Sequence, residues 1–309
     1  MKGPSPFVRR ALTVVFVAVA VFGFVYSIVD AWRDTNGRLP SVPRFVLAAV
    51  LWGCGLVASS FAWSWIVGDR RFQIRAGFVV SQLGKYVPGG ILQAAGQVRL
   101  AKGHGVAVRR SVVSFMVMAV VQVSVGGVSL LALGITWSDG PTWVRGLCGF
   151  GGLVALVLLD RRWMAFVLLR VPRTREDLEE SLASQRAILG AALALLFALA
   201  CGSGGYSILL AGFGRAPQPA LVMSTFVVAW TVGFIAVPIP SGIGIREAVI
   251  AAILHGTLSS SISVAASVYH RFAVVIAEGC LALAFLPGLR RSSGGRTAPD
   301  ETTPSETLP

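Results

Sequence analysis

Residues 84–93 read GKYVPGGILQ and place a lysine, a proline and three glycines inside an otherwise apolar region of the chain. Proline interrupts a helix because it has no backbone N–H, and glycine permits a sharp reversal of the chain. Such a break leaves backbone groups without helical partners, which lipid tolerates only where the segment is buried in protein or lines a wet cavity. The stretch therefore predicts a broken helix that faces an interior site.

The rest of the chain has the composition of an integral membrane protein. Of its 309 residues, 55% are hydrophobic and 13% are charged, and the mean hydropathy is +0.74. These values lie outside the usual range of soluble domains. The net charge of +13 does not indicate a nucleic-acid partner, because the basic residues fall at the ends of apolar runs rather than on one polar face.

Six apolar stretches are near the length of about 20 residues that a helix needs to cross a bilayer. They lie at about 11–29, 45–67, 111–136, 142–160, 187–211 and 262–286. Two further segments, about 76–103 and 219–256, are broken in the middle by KYVPGG and VPIPSGIG. The predicted fold class is an all-α polytopic membrane protein with about six full spans and two broken or re-entrant segments, six to eight helices in all. Whether each broken segment turns back or crosses as two short helices stays open.

The two broken segments share a pattern. VPGGILQAAGQVRLAKGHGV and IPSGIGIREAVIAAILHGTL each contain a proline, a glycine two residues later, an arginine within an apolar helix, and then His-Gly. Three plain spans, an odd number, separate the two segments, so they enter the membrane from opposite faces. This pattern predicts an inverted repeat, with halves at about 10–136 and 142–286, and broken helices in inverted repeats are typical of transporters.

The lysines and arginines predict the orientation. If the N-terminus is cytoplasmic, most of the basic residues between spans lie on the cytoplasmic side. We therefore expect a multi-pass protein of the plasma (inner) membrane with both termini cytoplasmic. The integral membrane domain covers 1–288, including an uncleaved first helix. The tail at 289–309 is rich in Ser, Thr, Pro and Gly and is expected to be disordered.

Ionisable side chains at membrane depth are costly unless they are paired or hydrated, so each needs an explanation. Arg246 is interpreted as a lipid-phosphate contact with Glu247 as its orienting partner or as a proton carrier. A structural ion pair that ties this segment to a neighbouring helix is the alternative, and both stay open. Lys85 either meets a phosphate or extends to the membrane interface. Arg271 and Glu278, on nearly the same helical face, form either a charge relay or a packing pair.

The candidate substrate-binding set follows from the two breaks and from these charges. Arg99 is preferred over Lys102 on the arm after the first break, and His104 and His255 are interpreted as helix-terminating residues. No catalytic motif, metal-ligand spacing or cofactor site is recognised, so we expect no catalytic residues, no metal and no cofactor. The set comprises Lys85, Pro88, Gly89, Gly90, Arg99, Pro240, Gly242, Gly244, Arg246, Glu247, Arg271 and Glu278.

The motifs LGKYVPGG, GHGV and PIPSGIGIREAVI, followed by HR, resemble the flippase-like membrane family that includes the transmembrane region of lysylphosphatidylglycerol synthase. The resemblance extends from about residue 10 to residue 288. It implies a protein that moves lipids or lipid-linked envelope precursors between leaflets. The chain has no aminoacyl-transferase domain after its last span, so we do not expect it to lysylate lipids.

The leading hypothesis is a transporter or flippase of anionic lipids or lipid-linked cell-envelope precursors. The alternatives are a non-transporting accessory protein of envelope or glycolipid biosynthesis and an intramembrane lipid-modifying enzyme. The expected partners are membrane lipids, anionic ones above all, and an envelope-biosynthesis enzyme. A transporter predicts that polar residues from both halves converge on one cavity, whereas an enzyme predicts a nucleophile and a base within hydrogen-bond reach.

Overall fold

A computed structural model describes residues 29, 32–33, 39–86, 91–138, 140–170, 181–214, 217–235, 242 and 244–290. Within these ranges the chain forms ten α-helices, and a short 3-10 segment, Gln82–Tyr86, follows the second of them. The helices are α1 (Val42–Val67), α2 (Phe72–Ser81), α3 (Ile91–Gly103), α4 (Val108–Thr136), α5 (Thr142–Val157), α6 (Arg161–Leu168), α7 (Gln185–Gly212), α8 (Pro219–Ile235), α9 (Ile245–Leu254) and α10 (Ser260–Arg290).

Four helices are long and apolar enough to cross a membrane. They are α1, α4, α7 and α10, with 26 to 31 residues each. They confirm four of the six predicted plain spans and the all-α polytopic fold class. The predicted first span, 11–29, lies outside the described residues except for Val29. Helix α10 continues to Arg290, two residues into the predicted tail, and the rest of that tail is also outside the described residues.

The predicted span at 142–160 is present as a helix but is bent near its end rather than plain. Helix α5 ends at Val157, and α6 continues at an angle of 95° to it. The local cause is Asp160, whose carboxylate accepts a hydrogen bond of 2.8 Å from the Arg162 backbone N–H and so begins a new helix. Helix α6 buries Met164 and exposes Trp163. The apolar run is therefore divided by a sharp bend.

The first broken segment folds back on itself. A methyl group placed on Gly77, in the second half of α2, would lie 3.2 Å from the Leu100 side chain near the end of α3. Further along, the Gln93 side chain donates a 2.9 Å hydrogen bond to Gln82. The later residue of the first arm, Gln82, thus contacts the earlier residue of α3, Gln93, so the two arms run antiparallel. We call α2, the 3-10 segment and α3 hairpin 1.

The second broken segment also turns back. Gly233 lies against Gly242, and the Arg246 guanidinium lies 3.6 Å from the centre of the Trp230 ring, so α8 and α9 run antiparallel. At about 1.5 Å per residue neither arm reaches the roughly 30 Å thickness of the hydrocarbon core. We call this unit hairpin 2. Within the described residues, both segments therefore turn back through arms that are shorter than the hydrocarbon core is thick.

Equivalent spans of the two halves pack against each other in opposite directions. A methyl group on Gly55 of α1 would lie 3.0 Å from the Ala198 carbonyl oxygen of α7, and one on Gly205 would lie 3.3 Å from the Ala48 backbone. Small residues allow two helices to approach this closely, which is a common way of packing helices in membranes. The earlier contact residue of α1, Ala48, meets the later contact residue of α7, Gly205, so α1 and α7 are antiparallel.

The last helix of each half packs against the hairpin of the other half. Helix α4, the last of the first half, packs on the first arm of hairpin 2, where Gly126 meets Thr231. Helix α10, the last of the second half, packs on the first arm of hairpin 1, where Phe72 stacks on Phe285 with ring centres 5.2 Å apart. This is the arrangement of an inverted repeat, and it brings Lys85 and Tyr86 of hairpin 1 to the same cavity as Trp230 and Arg246 of hairpin 2.

Candidate functional site

Helix α10 carries the two charges around which the site is built. Arg271 and Glu278 are seven residues apart, which is about 10 Å along a helix and nearly the same face. The predicted alternatives joined them to each other, as a relay or as a packing pair. The structure instead pairs each with the opposite charge on a different hairpin: Glu278 with Lys85 and Arg271 with Glu247.

The Glu278 carboxylate is only 1% exposed and receives three hydrogen bonds. Lys85 Nζ, on the 3-10 segment of hairpin 1, lies 2.5 Å from Oε1. The Tyr86 hydroxyl donates to Oε2 at 2.8 Å, and the Trp52 indole N–H of α1 donates to Oε1 at 3.0 Å. Buried charges persist when they are paired and hydrogen-bonded, and Glu278 meets both conditions.

The Glu247 carboxylate caps the N-terminus of α9 and joins hairpin 2 to α10. Its Oε2 accepts a 2.8 Å hydrogen bond from the Gly244 backbone N–H, which would otherwise lack a helical partner. Its Oε1 accepts from Arg271 Nε at 2.7 Å and from the Ser267 hydroxyl at 3.3 Å. The structural ion pair foreseen for this segment therefore exists, and it is formed by Glu247.

The glycines of SGIG have specific conformational roles. Gly242 and Gly244 adopt φ angles of +64° and +85°, a region that side-chain-bearing residues rarely enter. Gly242 is buried against Gly233, and its carbonyl accepts a hydrogen bond of 3.3 Å from Arg271 Nη2. The backbone of the break thus holds one of the site's cations in place.

Arg246 has a different environment from its neighbour Glu247. Its guanidinium stacks on the Trp230 ring, and its buried Nε has no hydrogen-bond partner among the described residues. Glu247 is engaged by Arg271 and does not serve as the orienting partner of Arg246. Trp230 orients the Arg246 guanidinium instead, through a cation–π contact.

His270 precedes Arg271 on α10 and packs against several aromatic rings. The side chain is 2% exposed, and its ring edge meets Phe226 at 4.9 Å and Trp52 at 5.7 Å between centres. Its Nε2 atom is buried and has no hydrogen-bond partner in the part of the chain that the structure describes. His270 is therefore a second polar group with unused hydrogen-bonding capacity at this place.

A cavity of about 240 Å³ lies where these groups meet. Three cations line it: Lys85 from the first half, and Arg246 and Arg271 from the second. The carboxylates that contact them, Glu247 and Glu278, are two, so with a neutral histidine the charge at the cavity is 3 − 2 = +1. This excess of positive charge favours an anionic ligand.

Other predicted residues lie elsewhere. Arg99 is exposed on α3 and does not line the cavity. Both predicted helix-terminating histidines follow helix ends: His104 Nδ1 lies 2.8 Å from the Leu100 carbonyl oxygen, and His255 follows the last residue of α9, as predicted. Four of the predicted residues lie outside the described ranges: Pro88, Gly89, Gly90 and Pro240.

Sequence reasoning missed several groups around the cavity. Ser267 precedes His270 and Arg271 by three and four residues, so helical spacing alone could have placed it on their face. Tyr86 lies inside the quoted LGKYVPGG motif. The two tryptophans, Trp52 and Trp230, belong to no local pattern and are brought in by packing.

The base of hairpin 1 is closed by a separate ion pair. Arg71 Nη2 lies 2.6 Å from the Asp69 carboxylate and 2.7 Å from the His104 carbonyl oxygen, so it joins the loop before α2 to the end of α3. The hydrogen bond from Arg71 lowers the pKa of Asp69, which keeps that carboxylate ionised.

Among the described residues no group of three or more His, Cys, Asp and Glu side chains could hold a metal ion.

The comparison with protein families identifies the membrane domain. Residues 10–282 match the family model described as the lysylphosphatidylglycerol synthase TM region. The chain belongs to this family. The matched region of this lysylphosphatidylglycerol synthase TM protein contains both hairpins and the whole cavity, which confirms the resemblance found in the motifs. Membership indicates a multi-pass membrane protein of lipid or cell-envelope biosynthesis or transport. No curated protein matches the chain.

Proposed function

We propose that this protein binds an anionic lipid, or a lipid-linked cell-envelope precursor, through its headgroup in the central cavity and moves it across the plasma membrane. The observation that carries the proposal is the convergence of Lys85, Arg246 and Arg271, from both halves of the inverted repeat, on one cavity. A site built from both halves is what a transporter needs, because the halves can expose it to alternate sides.

Arg246 is the residue best placed to hold a phosphate. The other two cations already have carboxylate partners, whereas Arg246 contacts an aromatic face and keeps an unused N–H. A guanidinium binds phosphate oxygens through charge-assisted hydrogen bonds, often two at once. Trp230 stacks on the guanidinium and so fixes its orientation.

The ion pairs of Lys85 and Arg271 supply the link between binding and movement. Each joins one hairpin to α10. An anion in the cavity competes with the carboxylates for these cations, and the competition weakens the attachment of a hairpin to α10. Anion binding therefore changes the relative stability of the arrangements in which the cavity opens to one side or the other.

The enzyme alternative has one observation in its favour. The Ser267 hydroxyl lies 3.3 Å from Glu247 and so forms a candidate nucleophile and base. Glu247, however, is held by Arg271 and by the Gly244 N–H, and a carboxylate stabilised by such donors is a poor base. The accessory-protein alternative requires no charged cavity. Transport therefore accounts for more of the site than either alternative does.

Leaflet exchange in reconstituted vesicles tests the proposal. We expect wild-type protein to accelerate the exchange of a fluorescent phosphatidylglycerol more than that of a neutral phosphatidylcholine analogue. Arg246→Gln should slow the anionic analogue roughly tenfold or more, because a hydrogen bond to a charged group contributes about 1.5–3 kcal/mol. Arg99→Gln is the matched control, since it removes an exposed cation from α3 and should leave the rate near that of wild type.

Size-exclusion chromatography of both variants checks that they fold. If wild-type vesicles exchange neither analogue faster than protein-free vesicles under any ion gradient, the transport proposal is wrong. In that event the accessory-protein alternative takes its place.

A further inference from the structure

We propose that transport is coupled to protons, with Glu278 taking up one proton when the anionic headgroup draws Lys85 away from it. This inference rests on the proposed function and specifies its energy source. It follows from the different ways in which the two intramembrane ion pairs are held.

Lys85 is the cation that an incoming anion can displace most readily. Among the described residues its ammonium has one hydrogen bond, to Glu278, and looser contacts with the Trp52 and Tyr86 rings at 5.8 and 5.4 Å. Arg271, in contrast, is held by both Glu247 and the Gly242 carbonyl. Lys85 also lines the cavity itself, so its ammonium can turn from the carboxylate to a phosphate.

Loss of Lys85 leaves Glu278 in an unfavourable state. The carboxylate is 1% exposed and would retain only the neutral donors Tyr86 and Trp52. Removing one member of a buried ion pair is strongly destabilising, and a buried carboxylate responds by binding a proton. Protonation therefore accompanies the exchange of partners by Lys85.

The other charged and titratable groups around Glu278 do not replace Lys85. Arg246, on hairpin 2, has an electrostatic interaction with Glu278 but lies against Trp230. Arg271 and His270, on α10 itself, lie about two helical turns away, and Arg271 is paired with Glu247. Among its described residues, hairpin 1 contributes only Tyr86 besides Lys85, and α1 contributes the uncharged Trp52.

The charge balance is simple. The empty cavity has a charge of +1; a monoanionic headgroup adds −1, and a proton from water on Glu278 adds +1. The loaded cavity therefore keeps the charge of the empty one, and anion and proton cross together as an electroneutral pair. By linkage, because binding takes up one proton, each drop of one pH unit should strengthen anion binding by up to about tenfold.

Proton uptake during binding tests this coupling directly. Purified protein in nanodiscs of neutral lipid is titrated with short-chain phosphatidylglycerol by calorimetry, in two buffers with different ionisation enthalpies. We expect about one proton taken up per lipid by wild-type protein. Glu278→Gln carries a neutral side chain already, so it should bind the lipid with no proton uptake and with little dependence on pH.

Lys85→Gln provides an independent second variant. Without the ammonium, the headgroup has no cation to draw away from Glu278, so lipid binding should again proceed without proton uptake. Binding by wild-type protein with no proton uptake overturns the coupling while the proposed function stands. Uptake that persists in Glu278→Gln also overturns it. Absence of binding by wild-type protein overturns the proposed function and the coupling with it.

Discussion

Gly233 determines where the Arg246 side chain can lie. A methyl group at this position would be 2.5 Å from Arg246 Nε and 2.6 Å from its Cγ, well inside van der Waals contact. The same glycine touches Gly242 in the break of hairpin 2. The absence of a side chain at Gly233 is therefore what lets Arg246 stack on Trp230 at the cavity wall.

Gly233→Ala should reduce phosphatidylglycerol binding several-fold, because the new methyl group displaces the guanidinium from Trp230. Alanine is the better helix former by about 0.5–1 kcal/mol, so weaker binding cannot be attributed to a weaker α8. The matched control is Gly204→Ala on α7, where an added methyl group meets no atom within 4 Å. Equal binding by both variants and wild type would show that the position of Arg246 does not matter.

For individual residues, the sequence predicts which ones belong to the site better than it predicts which residues they contact. Lys85, Arg246 and Glu278 were identifiable because charges at membrane depth are costly and need a reason. Their contacts depend on packing between distant segments: Lys85 and Glu278 are 193 residues apart in the chain. Local pattern cannot supply that information, and Arg99, chosen by the same reasoning, is exposed instead.

The two hairpins are the elements that give the molecule its internal site. Each is made of arms too short to cross the membrane, and each presents charged residues near its break. Because α1 and α7 are antiparallel, the hairpin that follows α1 and the hairpin that follows α7 enter from opposite faces. We propose that the hairpin 1 side, which carries Arg70 and Arg71, is cytoplasmic.

Cysteine labelling in cells tests this arrangement. In a background without the four native cysteines, Arg70→Cys reports the base of hairpin 1 and Gln218→Cys the base of hairpin 2; both positions are exposed. We expect a membrane-impermeant reagent applied from outside to label position 218 and to reach position 70 only after permeabilisation. Labelling of both from outside would contradict the inverted repeat.

The long helices could be predicted from the sequence, whereas the bend between α5 and α6 and the folding of the hairpins could not. Helices α1, α4, α7 and α10 were predictable from length and hydropathy alone, because a long apolar run has few other stable states in a bilayer. The bend between α5 and α6 was missed, because averaged hydropathy cannot detect one residue such as Asp160 that begins a new helix. The hairpins were located by their breaks, but the reversal itself is defined by contacts between the arms.

At the scale of the molecule, the described residues form an inverted arrangement in which both hairpins line a charged cavity. The reciprocal packing of α4 on hairpin 2 and of α10 on hairpin 1 couples each half to the hairpin of the other. Any movement of one half must therefore change the cavity wall contributed by the other. Under the proposed function, the positive charge of the cavity favours an anion, and its volume of about 240 Å³ accommodates a headgroup while the acyl chains remain in lipid.

The most direct test of this account is an experimental structure of the protein in nanodiscs that contain phosphatidylglycerol. We predict density for a phosphate inside the central cavity, within hydrogen-bond distance of the Arg246 guanidinium, with Lys85 turned toward it and away from Glu278. Lipid headgroups confined to the outer surface, with Lys85 still bound to Glu278 and no phosphate beside Arg246 at saturating lipid, would contradict the central claim.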